Sequence, residues 1–421
     1  MSRIVQVANF VAPHSGGLRT ALDRLAAGYN AHGYDVVQVI PGRSDSETPA
    51  AWGTRVTLRA PAIPGTGYRM FTGTDAVTPM LTRLRPYRLE VHDRATLRGL
   101  GTWAARRDVR SLVVSHERLD RLLAQWLPTW LPLRAAADRS NRALAAGFDA
   151  VVCTTGWAAE EFTRLCTPNL HCVPLGVDLR GFDPGRATAS VRAALASPDE
   201  ALLLLVSRLS REKRPGLAIE AVRELARRGR RSQLVVAGDG PLRRRLQVQA
   251  ADLPVRFLGF VAEADRLAGL LSCADVFLAP GPVETFGLAA LEALASGTPI
   301  VANAASALPE VLGSAGVAAA GTAAAFADAV ETLLDTARHD ARARAELFPW
   351  STTITGFLAA HGITATTDKP TADRSTTDRS TDRRPDERTI DREHTTGADR
   401  SAGRGTTGYA GGRPGRQPQL R

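Results

Sequence analysis

Glu284 and Glu292 bracket the start of a helix, and that placement carries the most chemical information in this 421-residue chain. They lie in PGPVETFGLAALEALASGTPIVA, which runs from Pro280 to Ala302. Val276, Phe277 and Leu278 precede it as a short apolar strand, and Pro299, Ile300 and Val301 close it as another. Leu288, Leu291 and Leu294 between them recur at helical spacing, so the unit reads strand, loop, helix, strand, as in a parallel α/β sheet. A helix N-terminus attracts phosphate through its free N–H groups and its dipole. An ionised carboxylate accepts hydrogen bonds only, which suits hydroxyls. Hydroxyls on both sides of a diphosphate describe a sugar nucleotide, with a hexose at one end and a ribose at the other.

Other residues with similar chemistry sit at strand ends. The run LLLLV, suited to a strand buried on both faces, leads to Arg208 and Lys213 just before a helix beginning at Pro215. An arginine fork and a lysine point charge around one loop fit a diphosphate. Gly16 and Gly17 follow the first strand, Ile4 to Ala8, where a bare backbone can approach phosphate or simply turn tightly. Gly238, Asp239 and Gly240 make another turn after QLVVA, and Gly259 to Val261 end VRFLGFV. His116 ends the strand Leu112 to Ser115; a lone histidine there is ordinarily a structural hydrogen-bonder. Asp93 and Arg94, at the end of Leu89 to His92, can either reach an acceptor or face solvent.

Composition narrows the classes. Hydrophobic content of 44% and charged content of 23% suit globular domains, and 421 residues suffice for two cores. No apolar run approaches the roughly 20 residues that span a bilayer, and MSRIVQVANF reads as a strand rather than a secretory leader. Cys153, Cys166, Cys172 and Cys273 show no metal-ligand spacing and read as buried thiols of a reducing cytosol. The net charge of +10, mostly arginine, invites a polyanion, but no nucleic-acid-binding motif appears and the charge is spread along the chain. A dinucleotide enzyme, a rival class, would need the G-x-G-x-x-G that is missing after Ala8.

The stretch containing Glu284, Phe286, Gly287, Leu288 and Glu292 resembles the E-x7-E motif of retaining family-4 glycosyltransferases of the GT-B type. SRLSREKR resembles their G-R-L-x-x-E-K-G element, with Ser207 and Arg214 in place of its glycines. VANFVAPHSGGLRT, SHERLDR and VVCTTG extend the resemblance over roughly residues 1 to 361, closest to actinobacterial GDP-mannose-dependent α-(1-6) phosphatidylinositol dimannoside mannosyltransferases. It implies two Rossmann-like α/β domains with parallel sheets facing a cleft. The expected divisions are an acceptor domain over 1–180, a nucleotide-sugar domain over 181–345, and a helix over 346–361 crossing back to the first.

The resemblance gives Glu284 the donor hexose and Glu292 the ribose. It places His116 beside the hexose, where we expect it to stabilise charge at the anomeric carbon, with Arg208 and Lys213 on the diphosphate. Gly16, Gly17, Gly238, Gly259, Val261, Phe286, Gly287 and Leu288 complete the donor site. No Asp-x-Asp occurs, so neither metal nor other cofactor is expected. The implied partners are a nucleotide sugar and a phosphoinositide glycolipid, with a peripheral place on the inner face of the plasma membrane; a UDP-sugar donor with another acceptor is the alternative. Trp126, Leu127, Trp130 and Leu131 beside Arg118, Arg121, Arg134 and Arg139 suit either an anionic membrane surface or core packing. Residues 362–421 are poor in large hydrophobes and read as a disordered tail.

Overall fold

The computed structural model describes residues 2–364, except 12–15, 65, 125–126, 129 and 335–338. Most of the expected tail, from 365 on, lies outside the described residues. The first sheet uses β1 (Arg3–Ala8), β2 (Asp35–Gly42), β3 (Ser46–Ala50), β4 (Gly53–Arg59), β5 (Arg88–His92), β6 (Arg110–Ser115), β7 (Ala150–Cys153) and β8 (Leu170–Cys172). The second uses β9 (Ala201–Val206), β10 (Ser232–Ala237), β11 (Val255–Gly259), β12 (Val276–Ala279), β13 (Ile300–Asn303) and β14 (Gly316–Ala319).

The second sheet is ordered β11-β10-β9-β12-β13-β14, and every pairing in it is parallel. The first follows the same winding, β4-β2-β1-β5-β6-β7-β8, with β3 added antiparallel at the edge. In such sheets ligands bind beyond the carboxyl ends of the strands where the order reverses, here β1/β5 and β9/β12. Strand β9 shows why the sheet must be covered on both sides: Leu203 and Leu205 enter one apolar cluster, Leu202 and Leu204 another. In β1, by contrast, Gln6 interrupts one buried face while Val5 and Val7 fill the other.

Two segments join the halves side by side. Val177 N–H donates to the Phe348 carbonyl at 2.9 Å, and the Gly176 backbone lies so close to Trp350 that a Cβ would sit 2.6 Å from its Cα. The terminal helix, Trp350–Ala360, lies on the first helix, Gly17–Ala31, where a Cβ on Gly28 would meet the Ile354 side chain at 2.3 Å. The Thr353 hydroxyl reaches the Pro174 carbonyl at 2.8 Å.

The structure corrects three expectations. Cys166 and Cys172 are exposed, so only Cys153 and Cys273 are buried thiols. Strands β3 and β14 carry no apolar alternation, since SETPA is an exposed edge and GVAA is nearly featureless, and the sequence pattern passes over both. The expected tail boundary at 362 falls too early. Gly362 turns the chain at φ +71°, Ile363 N–H bonds the Leu358 carbonyl at 2.9 Å, and the Ile363 side chain is buried in the core. Removing residues 365–421 should therefore leave the melting temperature within about a degree, whereas removal from 362 should lower it by several degrees, because a buried isoleucine is worth about 2–5 kcal/mol. Differential scanning calorimetry of the two truncations separates these outcomes.

Candidate active site

The loops that leave β9 and β12 touch at the switch point of the second sheet. Gly281 lies so close to the other loop that a Cβ there would sit 3.3 Å from both the Glu212 carbonyl oxygen and the Lys213 Cα. This brings the Lys213 ammonium onto the Glu284 carboxylate as a short ion pair, both side chains half-buried. Gly287 starts the helix Leu288–Ala295 at φ +81°, where a Cβ would strike Leu308 at 2.6 Å and Glu284 at 3.2 Å. Only glycine fits both the left-handed backbone and the space. The E-K-G position of the other loop is Arg214, which takes φ +46° despite its side chain and donates to the Gly321 carbonyl at 3.3 Å. A non-glycine residue in this region is uncommon, and glycine at the corresponding family position meets the same backbone demand.

Across the cleft the first sheet's loops meet these. The Thr285 hydroxyl donates to the His116 carbonyl at 2.6 Å, and the Thr155 hydroxyl donates back to the Thr285 carbonyl at 2.9 Å. Gly17 faces Leu288, so the starts of the two helices lie against each other. Arg208 donates to the Thr66 carbonyl at 3.1 Å and stacks 4.6 Å from the Tyr68 ring centroid. Gly156 and Trp157 present their N–H groups at a helix start to the Glu310 carboxylate, at 2.8 and 3.0 Å. Thr285 and Glu310, which no sequence motif singles out, thus join the site rim.

Glu284, Lys213, Gly287 and His116 therefore share one neighbourhood, with Gly17 at its edge. Gly238 and Gly240 sit where strands crowd: a Cβ would come within 1.9 Å of the Ser207 carbonyl oxygen and 2.6 Å of the Leu209 one. Gly238 N–H bonds the Gly259 carbonyl at 2.7 Å, tying the turns after β10 and β11 together; Gly259 has φ +76° and Val261 is half-buried beside it. Gly16 is exposed. Phe286 and Leu288 are core side chains, Phe286 meeting Phe348 edge-on at 6.1 Å, so only their backbones are available to a ligand.

Charge states follow from burial. Removal from water pushes the Glu292 carboxyl up to about 8, against the pull of Arg24. At neutral pH that shift favours its protonated form. Burial holds the His116 imidazole down at about 3. His116 is accordingly a neutral ring, so any stabilisation of charge at the anomeric carbon would come from its dipole or lone pair.

Asp93 and Arg94 are also corrected, because both are buried and spent internally. Asp93 accepts from the Ala95 and Leu97 N–H groups at 2.8 and 3.1 Å and from Asn9 at 2.9 Å. Arg94 donates to Ser115 at 2.9 Å, to the Glu117 carbonyl at 2.7 Å, and to Glu161 and Asn141. They build the floor under the cleft and are not free to meet an acceptor.

A polar row on β5 escapes a reading of the sequence alone. Glu90 is fully buried, and its carboxylate accepts from Gln6 and lies at hydrogen-bond distance from His92, both 2.7 Å, on one oxygen. Tyr29 donates to the other oxygen at 2.6 Å and His361 approaches it at 3.1 Å. Burial alone would raise this carboxyl; hydrogen bonds from His361 and His92 outweigh it and hold the group below the usual carboxylate range. The available signal is alternation: Glu90 and His92 share the strand face opposite Leu89 and Val91.

Comparison with known proteins agrees with this architecture. Residues 200–336 match the family described as "Glycosyl transferases group 1", and residues 16–178 match "Glycosyl transferase 4-like domain". The GDP-mannose-dependent alpha-(1-6)-phosphatidylinositol dimannoside mannosyltransferase of Mycobacterium tuberculosis is 46% identical, over 87% of this chain and 98% of its own. A D-inositol 3-phosphate glycosyltransferase of Geodermatophilus obscurus is 36% identical over 46% of this chain and 47% of its own. Among solved structures, sucrose-phosphate synthase from Thermosynechococcus elongatus superposes with a TM-score of 0.69 at 21% identity, over 86% of this chain and 98% of that one. The fold is GT-B.

Glu284→Gln keeps the loop but removes the charge that faces Lys213, and Glu284 lies outside the core. Turnover of the natural donor should fall at least about a hundredfold, the scale of losing one transition-state partner, while the melting temperature stays within a few degrees. Steady-state kinetics alongside thermal denaturation checks both parts.

Proposed function

Because the chain belongs to the group 1 glycosyltransferases, we propose that it transfers mannose from GDP-mannose to a phosphatidylinositol mannoside, with retention at the anomeric carbon. The observation that carries this is the Lys213–Glu284 pair at the β9/β12 switch point. A cation that suits phosphate and a carboxylate that suits hydroxyls stand side by side, as phosphate and hexose do in a sugar nucleotide. On binding, the donor replaces the pair's mutual contact: Lys213 turns to the diphosphate and Glu284 to the hexose. Arg208 reaches the diphosphate from the same loop, and the helix start at Gly287 and Leu288 adds N–H groups. Glu292 then takes the ribose hydroxyls.

In the transfer, the bond from the anomeric carbon to the phosphate oxygen breaks and the acceptor hydroxyl oxygen bonds to the same face of that carbon. The acceptor's proton passes to the departing diphosphate. Arg208 and Lys213 offset the charge that builds there, a stabilisation that often dominates catalysis. These cations do the work of a divalent metal, so no metal is required. The likeness to D-inositol 3-phosphate glycosyltransferases makes an inositol phosphate the alternative acceptor, and a UDP-sugar is the alternative donor. Labelled GDP-mannose and UDP-sugars, each offered with mannosylated phosphatidylinositol and with inositol phosphate, separate the two readings.

Arg208→Ala and Lys213→Ala should each lower turnover at least about a hundredfold, and EDTA should leave the wild-type rate unchanged. A reaction stopped by chelator and restored by magnesium would overturn the metal-free clamp.

With an acceptor that carries acyl chains, the proposed reaction runs at a membrane surface, and we assign it to the inner face of the plasma membrane. No helix among the described residues is long and apolar enough to cross a membrane. Trp130 is 81% exposed and Leu127 41%, with Arg121, Arg134 and Arg139 also exposed around them. Trp126 lies outside the described residues. Arg118 leaves this group: it is buried, paired with Asp120 and Glu160 and stacked 4.9 Å from the Trp157 ring. Exposed tryptophan beside arginine suits anionic headgroups, each cation adding about 1 kcal/mol near the surface. Trp130→Ser should weaken sedimentation with anionic vesicles severalfold without changing the melting temperature, and salt should weaken the wild type as well. Undiminished binding by the variant would place docking elsewhere.

A further inference from the structure

Among the buried polar groups, one chain of contacts leads into the cleft. Glu90 lies at the bottom, His92 above it on the same strand face, and His116 above that at the rim. The rings of His92 and His116 stack with centroids 5.1 Å apart and planes 19° apart. His92 Nδ1 and His116 Nε2 are 2.8 Å apart, and His92 Nε2 stands 2.7 Å from Glu90 Oε1. His116 Nδ1 has no partner among the described residues, and the ring is only half-buried. The His116 carbonyl receives the hydroxyl of Thr285, the residue after Glu284, so the free nitrogen belongs to the same neighbourhood as the donor carboxylate.

We propose that Glu90 and His92 are positioning residues for sugar transfer, holding His116 with its proton on Nε2 so that an unprotonated Nδ1 meets a hydroxyl of the donor sugar. Proton accounting along the chain of contacts, with one proton on each ring, gives the tautomer. A carboxylate only accepts, so His92 Nε2 carries a proton. With one proton on the His92 ring, Nδ1 is then a lone pair, and the hydrogen it receives is the Nε2–H of His116. His116 is left with Nδ1 as an acceptor. Stacking fixes the plane of that ring, and the hydrogen bond fixes its rotation.

Glu90 is itself held from three sides: Gln6 on the adjacent strand, Tyr29 on the first helix and His361 after the terminal helix. These donors leave the carboxylate no freedom to turn away from His92. The titratable groups facing the two rings are therefore Glu90 on their own sheet, Tyr29 and His361 beneath it, and the rings themselves. The orientation of a histidine by a carboxylate through its far nitrogen is a familiar device at metal and acyl-transfer centres. Here a second histidine lies between the carboxylate and the ring that meets the ligand.

This inference rests on the donor site proposed above, and its test separates the two. Two-bond proton–nitrogen NMR of histidine-labelled protein without any sugar nucleotide reads the tautomer directly, with His116 identified by His116→Gln. The expected spectrum has the proton on Nε2. A proton on Nδ1, which a doubly protonated His92 donating to His116 would produce, overturns the proposal. His92→Phe keeps bulk and removes the bond; kcat should drop about tenfold, the rate equivalent of one hydrogen bond, with the acceptor KM within about twofold. His92→Asn places an amide oxygen near the old Nδ1 position and should recover most of that loss. Wild-type kcat in a folded His92→Phe protein overturns the proposal. If that variant fails to fold, the wild-type tautomer and the asparagine variant still decide. A wild type that shows the expected tautomer but does not use GDP-mannose would sink the donor assignment and leave the positioning intact.

Discussion

A single buried carboxylate holds the first domain together. Taking an isolated carboxylate out of water costs several kcal/mol even after relaxation, and Glu90 is fully enclosed. Four partners offset that cost, and each comes from a different place: Gln6 on β1, His92 on β5 itself, Tyr29 on the first helix and His361 beyond the last one. The strand register makes this possible. Gln38 pairs with Gln6, and Gln6 with Glu90, so three side chains stand in one row across β2, β1 and β5. Arg55 extends the row from β4 by donating to Gln38. A shift of one residue in any strand would turn its member of the row to the opposite, apolar face. Polar complementarity therefore specifies the register of a sheet whose other face is apolar.

The two halves meet through a different kind of bond. One apolar cluster does run from Leu25 through Phe357 to Leu291, but it lies behind the cleft. At the rim the contacts are polar: Thr285 with His116 and Thr155, Arg208 with Thr66 and Tyr68, Glu310 with two helix N–H groups. A hydrogen bond of this sort is worth about 1 kcal/mol net. A ligand that offers equivalent partners can exchange with such contacts at little cost, whereas the apolar cluster behind them has no such substitute. The Lys213–Glu284 pair follows the same logic inside the site.

Much of this was legible in the residues. LLLLV had to be a strand covered on both faces, and Leu288, Leu291 and Leu294 had to be a helix, because their periodicities allow little else. Glu284, Lys213 and Gly287 were identifiable because loop chemistry at a switch point is local: each acts within a few residues of a strand end. Glu90 was not, because its meaning comes from partners 84, 61 and 271 positions away that only the folded register brings together. Asp93 and Arg94 misled for the reverse reason. At a strand end they look available, yet Asp93 is consumed by its own turn and Arg94 by Glu161 and Asn141 on two neighbouring helices. The missed strands, β3 and β14, are held by backbone pairing at sheet edges with almost no side-chain signature.

The charges around the donor differ from end to end, and the chemistry explains why. On the proposed reaction, negative charge grows on the diphosphate while the anomeric carbon becomes positive, as in other glycosyl transfers with oxocarbenium character. Arg208 and Lys213 belong at the first of these places and would be harmful at the second. A histidine close to the hexose would oppose the reaction if it were an imidazolium. Partial removal from water keeps His116 neutral, with its basicity held at about 3. On the same proposal, the His92–His116 stack, anchored by Glu90, gives the sugar end of the site a fixed dipole in place of a second cation. A lone pair directed at a sugar hydroxyl lets that oxygen remain electron-rich while the anomeric carbon loses its leaving group. The same burial that makes Glu90 costly to enclose is what gives His116 the charge state suited to its position.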